Sequence, residues 1–133
     1  MKKSQLSVIL SFFFLFIAFN SACQKKENGI TLISADSLKV MLINEHGILL
    51  DVRTPEEFAE DHLPGAINID YKNEGFSAAL DTLDKTKQYE VYCRSGHRSN
   101  ESAVMMSKKG FKKVYDLEGG ILKWKEKGFE TVK

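Results

Sequence analysis

Seven consecutive residues, Cys93-Arg94-Ser95-Gly96-His97-Arg98-Ser99, bring a thiol, two permanent cations and a glycine into one short polar stretch. Such a stretch can build a sulfur nucleophile. The thiolate is the reactive form, and a free cysteine, with a pKa of about 8.5, ionises more readily at a helix N-terminus or beside cationic groups. Glu90-Val91-Tyr92 reads as a strand that delivers the thiol, Gly96 lets the backbone curl, and Ser99 to Lys109 reads as a helix closed by Gly110. The expected product is a ring of backbone N–H groups facing the sulfur, a concave arrangement that attracts anions. Arg94 and Arg98 add charge to the same loop, so Cys93 is expected to be an activated nucleophile in a pocket that accepts an anionic substrate.

Positioning such a loop takes a framework, and apolar runs alternate with helix-period segments on either side of it. Ile30 to Ile33 reads as a strand and Ser34 to Ile43 as a helix with Ser34 as its N-cap. Ile48 to Val52 has the short apolar character of a buried strand, and Pro55 with Glu56 and Glu57 suits a helix start. Leu63-Pro64-Gly65 marks a turn before a brief strand at Ala66 to Ile69. A helix is expected from Phe76 to Leu83, a last strand at Val114 to Leu117, a turn at Gly119-Gly120 and a final helix from Ile121 to Lys127. Strands separated by helices imply parallel pairing, hence an α/β fold: an open, mainly parallel sheet of about five short strands with helices on both faces. Sites in such sheets lie beyond the carboxyl ends of the strands, where Cys93 falls.

Other polar residues read as support. Arg53 is expected to form a structural ion pair with Glu57 or a neighbouring carboxylate, and Asp51 to accept backbone hydrogen bonds near the site. His62 is expected to orient the turn that follows it, and Trp124 and Phe129 to pack. No second ligand pair at zinc spacing accompanies Cys93 and His97, so no metal is expected.

Two lysines, Lys2 and Lys3, precede an apolar run from Val8 to Phe19, then Ser21, Ala22 and Cys23. This is the layout of a secretory signal, and the run is shorter than the roughly 20 residues of a membrane span. Asn20-Ser21-Ala22-Cys23 resembles a bacterial lipobox, which implies cleavage of residues 1–22 and acylation of Cys23. Residues 23–29 then read as a polar tether that holds the domain, 30–133, at a bacterial membrane surface, facing the periplasm or cell exterior. Loss of 1–22 removes two of 19 basic residues and none of 18 acidic ones, leaving 17 against 18. No concentrated basic face points to nucleic acid. With Cys23 lipidated, Cys93 has no intramolecular partner, and a solitary thiol in an exported chain calls for a chemical reason.

The loop at Cys93 resembles the active-site loop of the rhodanese family, and three further segments agree in order: Asp51-Val52-Arg53-Thr54-Pro55-Glu56-Glu57-Phe58, His62-Leu63-Pro64-Gly65-Ala66-Ile67-Asn68 and Leu117-Glu118-Gly119-Gly120-Ile121-Leu122-Lys123-Trp124. The resemblance implies a rhodanese-like sulfurtransferase without cofactor. Cys93 would take the outer sulfur of an anionic donor such as thiosulfate as a persulfide and pass it to cyanide or a thiol, including a protein thiol. It also implies that the N–H groups of Arg94, Ser95, Gly96, His97, Arg98 and Ser99 stabilise charge on the sulfur. Arg94 and Arg98 would hold the donor, with His97 at the rim. Cysteine phosphatases and arsenate reductases resemble a longer loop with five residues before the arginine, whereas four separate Cys93 from Arg98. A smaller cradle favours a sulfur atom over a tetrahedral oxyanion. A non-catalytic module that binds a protein or anion is the alternative from another functional class.

Overall fold

The computed structural model describes residues 26–27, 29–44 and 47–133. The leader and Cys23 lie outside them. Six strands form one sheet: β1 Lys26–Glu27, β2 Ile30–Ile33, β3 Ile48–Asp51, β4 Ile67–Asn68, β5 Gln88–Tyr92 and β6 Lys113–Leu117. Their order is β1-β2-β6-β5-β3-β4; β1 runs antiparallel to β2 and the other five strands are parallel. The helices are α1 Ala35–Ile43, α2 Pro55–Glu60, α3 Phe76–Asp81, α4 His97–Lys108 and α5 Gly120–Glu126.

This is the α/β sheet that the alternation of elements implied. Strand β1 falls within the stretch read as a tether, so pairing begins before Ile30. Helix α1 starts where expected, the Ser34 hydroxyl accepting the Ser37 N–H at 3.1 Å. Helix α4 begins at His97, two residues ahead of the expected start, because Gly96 adopts φ +102° and turns the chain at once into the helix.

Buried side chains divide between the two faces of the sheet. Leu50, Val52, Tyr89, Val91, Cys93 and Val114 pack with Phe76 and Leu80 of α3 and Ala103 and Met106 of α4. On the opposite face Ile33, Leu49, Tyr92 and Leu117 pack with Leu38 of α1 and Ile121 and Trp124 of α5. Alternation along β5 therefore sends Tyr92 to one face and Cys93 to the other. Each fully buried large apolar side chain stabilises the fold by about 1.5–3 kcal/mol, which keeps the central strands rigid under the loop that follows β5.

Candidate active site

Beyond the carboxyl end of β5, Cys93 is 1% exposed, with its Sγ accepting the Gly96 N–H at 3.1 Å. The thiol also lies 3.5 Å from Ser99 Oγ, and that hydroxyl donates to the Gly96 carbonyl at 3.2 Å. The N–H groups of His97, Arg98 and Ser99 open α4, where an α-helix supplies no internal acceptor for them. Gly96 is the one amide in bonding range of the sulfur among the described residues, so the cup is narrower than the ring expected from the sequence.

What aims that amide is the last helix. Ile121 N–H donates to the Cys93 carbonyl at 2.9 Å and Leu122 N–H to the Arg94 carbonyl at 3.2 Å. The first turn of α5 thus holds both carbonyls of the loop. Gly120, at φ +59°, makes the approach possible: a Cβ there would lie 2.4 Å from the Cys93 carbonyl oxygen and 2.6 Å from that of Arg94.

The two loop arginines part company. Arg94 is exposed, as is Ser95. Arg98 makes a bidentate ion pair with Glu57, at 2.7 and 2.8 Å, so its planar fork is already filled. Glu57 belongs to a capping box on α2: Thr54 Oγ1 accepts the Glu57 N–H at 3.3 Å, and Glu57 Oε2 accepts the Thr54 N–H at 3.0 Å. Hydrogen bonding from Arg98, opposed by partial burial and aided by the Thr54 N–H, holds the Glu57 carboxyl down at about 2. The bond to Glu57, opposed by partial burial, holds Arg98 firmly protonated. His97 sits at the rim, its side chain 81% exposed and 3.7 Å from Glu101.

Asp51 and Arg53 form the buried support, Arg53 taking a neighbouring carboxylate, the second of the two partners expected for it. Its guanidinium meets Asp51 at 2.6 Å and donates to the Asp61 carbonyl at 2.6 Å, while Glu57 goes to Arg98. Asp51 Oδ1 accepts the Arg53 N–H at 2.9 Å. Burial raises the pKa of the nearby Tyr92 phenol, whose oxygen accepts the Leu63 N–H at 3.0 Å. This network ties the ends of β3 and β5 to the turn after His62, whose ring stacks on Phe58 at 3.8 Å. Trp124 and Phe129 pack edge to face at 4.9 Å.

Sequence reasoning passed over Asp116. It lies on β6, buried, its Oδ2 3.4 Å from Asn100 Nδ2. Burial pushes its carboxyl up to about 6, against the opposing influence of Ser99 and Asn100. Its signal was present in the sequence: two positions after Val114 in an alternating strand, it had to face the same interior.

Comparison with known proteins agrees with this architecture. The chain is 38% identical over 92 residues to thiosulfate sulfurtransferase 16, chloroplastic, of Arabidopsis thaliana, covering 62% of this chain and 77% of that protein. It is 31% identical over 101 residues to a sulfurtransferase of Allochromatium vinosum, covering 75% and 92%. A tRNA uridine(34) hydroxylase of Pelagibacter ubique is 40% identical over 85 residues, covering 62% of this chain and 28% of that protein. Among solved structures, a rhodanese-related protein from Thermoplasma volcanium superposes with a TM-score of 0.67 at 31% identity, over 75% of this chain and 95% of the other. The rhodanese-like domain profile matches residues 34–127, from the cap of α1 to the end of α5, and the chain belongs to that family.

Proposed function

We propose that the protein is a sulfurtransferase that carries a sulfane sulfur on Cys93 as a persulfide. One observation carries the reading: Cys93 Sγ accepts the Gly96 N–H at 3.1 Å at the mouth of a helix. Charge on the sulfur, in the thiolate and again in the persulfide, has a fixed donor that needs no reorganisation. In the first half-reaction the Cys93 thiolate attacks the outer sulfur of thiosulfate, the S–S bond of the donor breaks with its electron pair, and sulfite leaves. In the second, cyanide or a thiol attacks the outer sulfur and Cys93 departs as thiolate. Arg94, exposed on the loop, is the cation available to the donor, because Glu57 occupies Arg98. The resemblance of the N-terminus to a lipobox extends the proposal to an exported chain held on a bacterial membrane by lipid on Cys23.

Intact-mass measurement on protein incubated with thiosulfate tests the chemistry. The expected result is a gain of one sulfur atom on Cys93 that cyanide removes as thiocyanate, and loss of both signals in Cys93→Ser. Full thiocyanate turnover by Cys93→Ser would remove the nucleophile from the scheme. A chain that forms no persulfide but binds a stable partner indifferent to that substitution would be a binding module. The mass of the protein from its native membrane reports cleavage and acylation, and an unprocessed N-terminus would end the anchoring proposal.

A further inference from the structure

Helix α4 leaves the Cys93 loop with one side still open. His97, Glu101, Val104, Met105 and Lys108 recur at spacings of three and four, so they lie along one stripe that starts at the rim of the site. Tyr71, from the segment after β4, forms the opposite wall. Its hydroxyl donates to Glu101 Oε2 at 2.7 Å, and its ring meets Phe76 edge to face at 5.3 Å. Between this wall and the helix runs a groove of about 320 Å³, whose lining includes Tyr71, Glu101, Val104, Met105 and Lys108. Val104 and Met105 make its floor, half-buried and packed on the same apolar cluster that holds Cys93. The two ends carry opposite charge. Glu101 stands nearer the loop; Lys108, exposed at the far end, makes no ion pair among the described residues, whereas its neighbour Lys109 is paired with Asp81 at 2.7 Å. Neither thiosulfate nor cyanide is large enough to use a groove of this size.

We propose that this groove seats the sulfur acceptor, an extended segment of a partner protein that brings a cysteine to the Cys93 loop and an acidic residue to Lys108. The inference rests on the sulfurtransferase reading and names the acceptor class of the same site. From His97 to Lys108 the helix rises about 16 Å, which an extended chain covers in roughly four or five residues. A small thiol does not span that length. A peptide laid on Val104 and Met105 buries apolar surface along the way, and its carboxylate finds a free ammonium at the far end. The acid belongs away from the cysteine, because Glu101 repels it close to the loop. At the loop the segment's cysteine, its proton already given to solvent, attacks the outer sulfur of the Cys93 persulfide. The S–S bond breaks with its electron pair on Cys93 Sγ, and the segment leaves carrying the persulfide.

Three synthetic peptides test the groove, each with a cysteine at its centre and, about four positions away on both sides, glutamate, glutamine or lysine. Full-length protein is turned over with thiosulfate at low salt, the peptide persulfide is counted by mass, and kcat/KM for each peptide is divided by that for cyanide in the same preparation. Wild type is expected to favour the glutamate peptide over the lysine peptide by about three- to five-fold, the effect of one exposed ion pair. In Lys108→Glu the order reverses. Because the peptides are compared within one preparation, a loss of folded protein leaves that order untouched, and the peptides' own ionisation cancels between wild type and variant. Met105→Gln, on the floor, is expected to lower all three ratios alike, by about three-fold. Equal ratios for the three peptides in wild type would overturn the inference while sulfur transfer to cyanide stands, as would 2-mercaptoethanol accepting sulfur as fast as the glutamate peptide. An order that survives Lys108→Glu would overturn it too, giving the charge preference to Arg94 at the mouth. A wild type that gains no sulfur on Cys93 defeats the sulfurtransferase reading itself and this proposal with it.

Discussion

Two carboxyls, one bonded to Arg98 and one buried on β6, titrate in opposite senses, and their effects on stability follow. Glu57, held down at about 2 from an ordinary 4.5 by Arg98, stabilises the fold above pH 4.5, and that stabilisation is lost as pH falls through about 2. Urea unfolding at neutral pH is expected to find Glu57→Gln less stable by about 1–2 kcal/mol, after allowance for solvent screening, with the gap closing below about pH 4. Asp116 is the reverse. Raised from 3.8 to about 6 by burial, it destabilises the fold increasingly as pH rises through that window. Asp116→Asn is therefore expected to be more stable by about 2 kcal/mol at neutral pH and equal to wild type near about pH 4; a less stable variant at both pH values would contradict the assignment. At this scale the sequence was legible where a residue's place follows from the strand that carries it, as with Cys93 just beyond the carboxyl end of β5. It was not legible where the partner is distant: Arg98 meets Glu57 across 41 positions, and no local pattern announces that the fork is filled. The capping box was readable from Thr54 and Glu57 at their three-residue spacing.

Elements show the same division. The strands and helices that bury an apolar face were legible from period, and β2, α1, β3, β5 and β6 fall within one or two residues of expectation. Strand β1 was not, because Lys26–Glu27 is two polar residues whose strand character comes wholly from pairing with β2. Helix α5 was visible as a helix, and Gly119-Gly120 as a turn, but not the contact that gives the turn its purpose. Gly120→Ala tests that contact. A Cβ at 2.4 Å from the Cys93 carbonyl, on a residue at φ +59°, forces α5 and the loop apart. The expected cost is on the order of 1–3 kcal/mol in stability, together with loss of sulfur loading by mass; a variant that loads sulfur at the wild-type rate would show that the amide aims itself without the clasp.

Across the whole molecule, one sheet separates two packed faces, and the Cys93 thiol belongs to one while the helix that orients its loop belongs to the other. Trp124, the one tryptophan in the sequence, lies buried on the α5 face with its indole N–H donating to the Glu130 carbonyl at 2.8 Å. Its fluorescence reports that face alone, whereas far-UV circular dichroism reports the entire backbone. Because both faces share the central strands, the two unfolding curves are expected to coincide in urea; separated midpoints would mean that the faces come apart independently. The clasp of α5 on the carbonyls of Cys93 and Arg94 also bears on the order in which the protein becomes competent. Cys93 precedes in the chain the residues that complete its cradle, the first turn of α5 at 120–122. A truncated chain that stops at Leu117 has its sulfhydryl yet no means of steering the loop, so the cradle is assembled only once the first turn of the last helix has joined the fold.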